Sequence, residues 1–258
     1  MTNGFLLIDK ESGATSSRVV QAIKKKFQFK KVGHLGTLDP MATGLLILAI
    51  NRGTKFSSLL LESHKTYAAE VTLGIQTDTD DAEGEHILSK AITCSDEEAC
   101  KKLLSFLGSS MQQPPIYSAL KVQGKPMYKY AREGVKVEKA PRAIEIKAIE
   151  NISINLPKIS FEISCSKGTY IRSIARDLGE LLDCGGHLSA LKRLAQQEFL
   201  VNDAKKIDEI TELDIIPLEQ AFSHLGSVNL PEEKLKKFIN GSTVDLGLSE
   251  SGLLRAYN

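Results

Sequence analysis

The sequence predicts an α+β fold built on a mostly antiparallel sheet. Apolar runs of strand length recur along the 258 residues, and several alternate with polar residues in the way half-buried strands do. Helical periodicity intervenes only irregularly, without the strict strand–helix beat of a parallel sheet. A hydrophobic content of 42% and a charged content of 25% belong to a globular chain with a sizeable core.

Taken in order, FLLID (5–9) is a short apolar run that predicts a buried strand. KESGATSS then supplies hydroxyls that can cap a helix with Val19, Val20, Ile23 and Phe27 inward. Loop 33–44 carries Gly33, Gly36 and Gly44, which allow sharp bends or a close approach of backbone, and feeds LLILAI, a strand covered on both faces. In YAAEVTLGI (67–75) the residues Tyr67, Ala69, Val71, Leu73 and Ile75 share one side. DTDDAEGE (78–85) reads as a solvated connection, and SDEEACKKLLSFLG as a helix opened by a capping box from Ser95 to Glu98 and closed at Gly108. Residues 112–142, rich in Pro, Gly, Lys, Arg and Tyr, predict an inserted arm rather than core. Two alternating runs follow, IEIKAIENISI and KISFEISCS, then a helix from about Thr169 with Ile171, Ile174, Leu178 and Leu181 inward. CGGH breaks it, LSALKRLA predicts another helix, and short elements occupy the chain beyond about residue 210.

Several classes of function are excluded. The cysteines form no CxxC pair and have no histidine at zinc-ligand spacing, while Cys165 alternates with Ile159, Phe161 and Ile163 as a core thiol. Counted from Asp78 as an EF-hand, Ala82, Glu83 and Ser89 occupy three diagnostic places wrongly. Neither a P-loop nor GxGxxG occurs, so no nucleotide cofactor and no metal are expected. The first apolar run is too short for a signal peptide and none reaches membrane-spanning length, which predicts a cytoplasmic protein. A net charge of +1 does not announce nucleic-acid binding, yet KKKFQFKK (24–31) makes a local basic patch.

Two stretches could carry chemistry. Asp39, in VGHLGTLDPMATG, precedes Pro40 and so favours an extended or turn conformation; a plain Leu-Asp-Pro turn and a working carboxylate both fit. Arg172, in KGTYIRSIARDLG, falls in the first turn of its helix, where a cation opposes the helix dipole. A phosphate, a carboxylate or a neighbour such as Asp177 would each compensate it. On local grounds Tyr67 reads as packing and His34 as a turn residue.

Set side by side, GFLLIDKESGATS, KKVGHLGTLDPMATGLLIL, GTKFSSLLLESHKTYAAEVTLG, TDTDDAEG, PPIYSALKVQGKPMYKYAREG and CSKGTYIRSIARDLGELLDCGGHLSALKRL resemble, in order and spacing over residues 4 to 200, the TruB family of tRNA pseudouridine-55 synthases. The resemblance implies a pseudouridine synthase type of sheet with flanking helices in a catalytic domain over 1–210, with an RNA-binding arm at about 112–142. It also implies that 211–258 starts a short or incomplete PUA-like module. The implied reaction isomerises uridine 55 in the TΨC loop of tRNA: the N1–C1′ bond is cut, the base turns, and it is rejoined through C5, without cofactor. Asp39 is the implied catalytic carboxylate, an apt nucleophile toward an electrophilic carbon. Arg172 is its implied ion-pair partner, since opposite charge favours an ionised carboxylate. By the same resemblance Tyr67 stacks on the target base, and Tyr170 and Leu191 line the uracil pocket. His34 fills the space the base leaves, and Lys10, Lys55 and Lys65 lie near substrate. Basic residues 24–31 and the arm would grip the TΨC stem-loop. The family pattern usually has Pro where Glu11 stands.

A monomer with no obligate protein partner and no membrane contact is expected. Two alternatives stay open: a tRNA-folding chaperone with catalysis secondary, and a guide-RNA-dependent synthase. Against the latter, stand-alone enzymes carry the PPIYSALKVQGKPMYKYAREG insertion. A glycosidase would need a second carboxylate, and none can be placed beside Asp39.

Overall fold

A computed structural model describes residues 2–118, 120–135, 137, 139–247 and 252–257. The chain begins with strand β1 (Gly4–Lys10) and helix α1 (Ser16–Phe27), capped by Thr15, whose side chain accepts from Arg18 N. Strands β2 (Val32–His34) and β3 (Thr43–Ile50) flank the loop that carries Asp39. A 3-10 turn (Asn51–Phe56) leads to helix α2 (Ser57–Leu61) and strand β4 (Lys65–Leu73). Next come β5 (Ile75–Thr77), β6 (His86–Ser89), α3 (Asp96–Leu104) and β7 (Gly108–Gln112). The arm holds β8 (Lys121–Val122), β9 (Lys125–Pro126) and α4 (Met127–Arg132). After it the chain forms β10 (Arg142–Asn155), β11 (Lys158–Cys165), α5 (Ile171–Leu181) and β12 (Gly186–Gln196). The last elements are β13 (Phe199–Leu200), β14 (Ile216–Pro217), α6 (Leu218–Ala221), β15 (Ser227–Asn229), α7 (Glu232–Ile239) and β16 (Arg255–Tyr257).

The main sheet runs β14-β1-β3-β12-β4-β11-β10-β7, with β2 and β13 added beside β3 and β12. Every pairing in it is antiparallel except β12 with β3. Period-two alternation sorts the central strands into two layers. Leu6, Ile8, Leu46, Leu48 and Ile50 join Val19, Val20 and Ile23 of α1 and Ile174 and Leu178 of α5 on one face. Phe5, Leu7, Leu45, Ile47 and Ala49 meet Leu60, Phe199 and Phe222 on the other. That is why LLILAI is apolar at consecutive positions.

The arm leaves and re-enters the sheet at one point, because Gln112 and Arg142 are cross-strand partners. Helix α5 packs so closely on the start of β12 that a Cβ at Gly179 would lie 2.1 Å from Gly186 N.

Four expectations need correction. LSALKRLA is part of strand β12, not a helix. A bulge between Leu188 and Ala190 lets Leu188 and Leu191, three residues apart, both turn inward, which imitates helical spacing. Helix α3 ends at Leu104, and Gly108, at φ 94°, instead opens β7. The inward stripe of α5 finishes on buried Leu182, leaving Leu181 exposed. The loop 78–85 is not simply solvated, because Asp80 and Asp81 are buried.

Candidate active site

The turn that presents Asp39 is stitched from several sides. Ala42 N donates to the Asp39 carbonyl at 3.1 Å, closing a β-turn with Pro40 at its second position. The Pro40 carbonyl accepts from Gly13 N at 2.8 Å and from Lys10 Nζ at 3.1 Å. Ser16 Oγ accepts from Leu38 N and donates to Leu38 O, at 2.9 and 3.0 Å. With its backbone so held, the Asp39 side chain stays 32% exposed, open to a reactant.

Helix α5 brings Arg172 against it. Arg172 Nε lies 2.9 Å from Asp39 Oδ2, and Nη2 lies 3.4 Å from Oδ1, a two-point clasp on one carboxylate. The rest of the guanidinium is used too: Nη1 donates to Thr79 O and Nη2 to Tyr117 O, each at 2.9 Å, with Asp81 Oδ2 3.6 Å from Nη1. Burial of a cation in the first helical turn is thereby offset by two carboxylates and two carbonyls. The compensating anion is Asp39 rather than Asp177; the latter pairs with Arg176 at 2.7 Å. Arg176 also holds Asp80 at 3.1 Å and the Gln113 carbonyl, to which Ser173 Oγ donates as well. The acidic loop and the root of the arm are thus both fastened to α5.

Tyr67, on β4, is 7% exposed, with the Arg193 guanidinium 5.6 Å from its ring centroid. Burial pushes its phenol pKa up, and Arg193 opposes that shift. Leu191 lies on the neighbouring strand opposite Ala69, two residues along from Tyr67. Tyr170 is the residue before α5; its N–H and carbonyl are both bonded by the Gln112 amide, and its ring lies 4.6 Å from the Arg142 guanidinium. His34 sits on β2 with its Nδ1 buried and unpartnered, and burial followed by the Arg193 charge lowers its pKa.

The three expected lysines are placed differently. Lys10 is 1% exposed and donates to the carbonyls of Glu11, Ala14 and Pro40, so it braces the Asp39 turn from below. Lys65 is 8% exposed, donates to Leu61 O and Ser63 O, and has its pKa brought down to about 8 by burial and by Arg193. Lys55 is exposed on the 3-10 turn, lining a recess with Lys30, Lys31, Arg52 and the polar Asn51 and Thr54. Asp81, Gln112 and Arg193 were not singled out from sequence. The one local hint was an arginine two residues beyond Leu191, on what reads as a helix but pairs as a strand.

Comparison with known proteins identifies the family. Residues 24–171 match the family model described as TruB family pseudouridylate synthase (N terminal domain), and that match defines the chain as a pseudouridylate synthase. The fold matches a chain in the crystal structure of a Cbf5-Nop10-Gar1 complex, with TM-score 0.70 and 26% identity over 93% of this chain and 67% of that one. "tRNA pseudouridine synthase B" of Alkaliphilus oremlandii is 42% identical, over 94% of this chain and 83% of its own length. The protein of the same name from Aromatoleum aromaticum is 39% identical, over 100% and 86%. The chain belongs to the TruB family of pseudouridylate synthases.

Proposed function

We propose that this protein converts uridine 55 in the TΨC loop of tRNA to pseudouridine, with Asp39 as the carboxylate that drives cleavage of the N1–C1′ bond. The observation that carries the reading is the Asp39–Arg172 clasp: an accessible carboxylate whose orientation is fixed by a buried guanidinium and whose charge reaches the Tyr67 phenol. The near relatives named for tRNA support the substrate class. The base must leave its stack to reach Asp39, which costs a few kcal/mol, and aromatic stacking at roughly 1–3 kcal/mol per base recovers part of it. Tyr67 serves as that platform, with Tyr170 and Leu191 closing the uracil pocket and His34 filling the vacated space in the loop.

Atoms balance without any addition: C1′–N1 breaks, C1′–C5 forms, and the C5 proton leaves for solvent while N1 takes one up, the Tyr67 hydroxyl assisting the transfer. Lys10 and Lys65, bonded to backbone carbonyls, act through the loops they brace, whereas the recess of Lys30, Lys31, Arg52 and Lys55 meets RNA phosphate directly. The arm clamps the stem-loop, residues 211–258 form the start of a PUA-like module, and the enzyme works as a cytoplasmic monomer.

Tritium release from tRNA transcript labelled at C5 of uridine tests the reading. Release should come from one TΨC-loop uridine and vanish in Asp39→Asn. A folded wild type that binds tRNA but releases nothing would refute catalysis and leave a chaperone.

A further inference from the structure

Arg193 is buried to 1% exposure, and among the described residues no carboxylate lies within ion-pair distance of it. An uncompensated buried cation is expensive, so its surroundings should say what holds it. They are backbone carbonyls, and they are specific ones. Nη1 donates to Gly36 O and Leu45 O, both at 3.3 Å, and Nη2 donates to Thr37 O at 2.9 Å. Gly36 and Thr37 precede Asp39, and Leu45 follows it, so one planar fork ties the two limbs of the catalytic loop together. The same guanidinium faces the Tyr67 ring.

The backbone supports this placement. Arg193 is the register partner of Gly44 on β3 and of Tyr67 on β4, because β12 is inserted between those strands. Gly44 adopts φ 91°, and a Cβ there would lie 2.4 Å from the Arg193 carbonyl, so strand and loop meet at closest approach at this residue.

We propose that Arg193 is a positioning residue for the isomerisation: it sets the spacing between the loop that carries Asp39 and the ring of Tyr67. It does so without touching substrate, since no surface of it is open. The inference rests on the catalytic reading given above. A displacement of about 1 Å between reacting groups is worth roughly 100-fold in rate, which is the scale of effect expected.

The test compares wild type, Arg193→Met and Arg193→Lys by single-turnover tritium release, by tRNA dissociation constant and by thermal melting. Met keeps bulk but loses charge and fork; Lys keeps the charge and can reach only part of the carbonyl set. Folded Arg193→Met should lose about 100-fold in rate with affinity changed less than about threefold, and Lys should recover about tenfold of that loss. A folded Met variant at the wild-type rate, or one whose affinity falls as far as its rate, would overturn the proposal. Should Met not fold, Lys decides: reduced rate at intact affinity supports the role, and the wild-type rate rejects it. An inactive wild type would instead refute the catalytic reading itself.

Discussion

A guanidinium placed in the first turn of a helix and buried to 5% exposure has two disadvantages at once, dipole and desolvation, and Arg172 meets both with Asp39, Asp81 and two carbonyls. Removing it leaves Asp81, whose side chain is 6% exposed, without its cation. Arg172→Met should therefore destabilise the fold by about 3–5 kcal/mol, read from urea unfolding, as well as abolish isomerisation. Lys65 gives a pH signature. Its pKa in the folded protein is about 8 against an ordinary 10.5, so between these values the unfolded chain binds more protons. Stability should then rise from pH 8 toward pH 10.5, and Lys65→Met should flatten that part of the curve in urea titrations. A slope unchanged in the variant would remove Lys65 as its source.

At the scale of elements, Gly179 sets propensity against packing. Alanine is favoured over glycine inside a helix by about 1 kcal/mol, yet here its Cβ would meet the Gly186 backbone at 2.1 Å. Packing should win, and Gly179→Ala should lower the melting temperature by about 5 °C. The strands β1, β3, β4, β10 and β11 were legible because apolar residues and period-two alternation are local signals. Strand β12 was not, since Leu188, Leu191 and Leu194 are spaced like a helix and only pairing with β4 and β3 overrides them. Asp39 and Arg172 could be named from their motifs, with their pairing implied by the family likeness. The buried acidic loop escaped notice because Asp80 and Asp81 look solvated until Arg172 and Arg176, nearly a hundred positions later, arrive beside them. Arg193 escaped for the same reason.

For the whole molecule, the arm is a separable excursion: Gln112 pairs with Arg142, and Gln113 Nε2 donates to Lys139 O at 3.0 Å. Replacing residues 119–138 with a short Gly/Ser linker spares the carbonyls of Gln113 and Tyr117 that α5 holds, so melting should change by only a few degrees. Removal of Lys121, Lys125, Lys129, Arg132 and Lys136 should weaken tRNA binding, and the slope of log affinity against log salt should become shallower by up to about 4. An unaltered salt slope would mean that the arm does not meet phosphate. Among the described residues no helix is long and apolar enough to cross a membrane.

The insertion of β12 between β3 and β4 also bears on biosynthesis. The ribosome delivers Asp39 and Tyr67 early, yet the strand that belongs between them spans residues 186–196 and must arrive before β3 and β4 can be joined in one sheet. Contacts this distant in sequence form late. A nascent chain therefore carries Asp39 and Tyr67 through most of translation without the strand that brings their two strands together, and the proposed catalytic centre can assemble only after residue 196 has emerged.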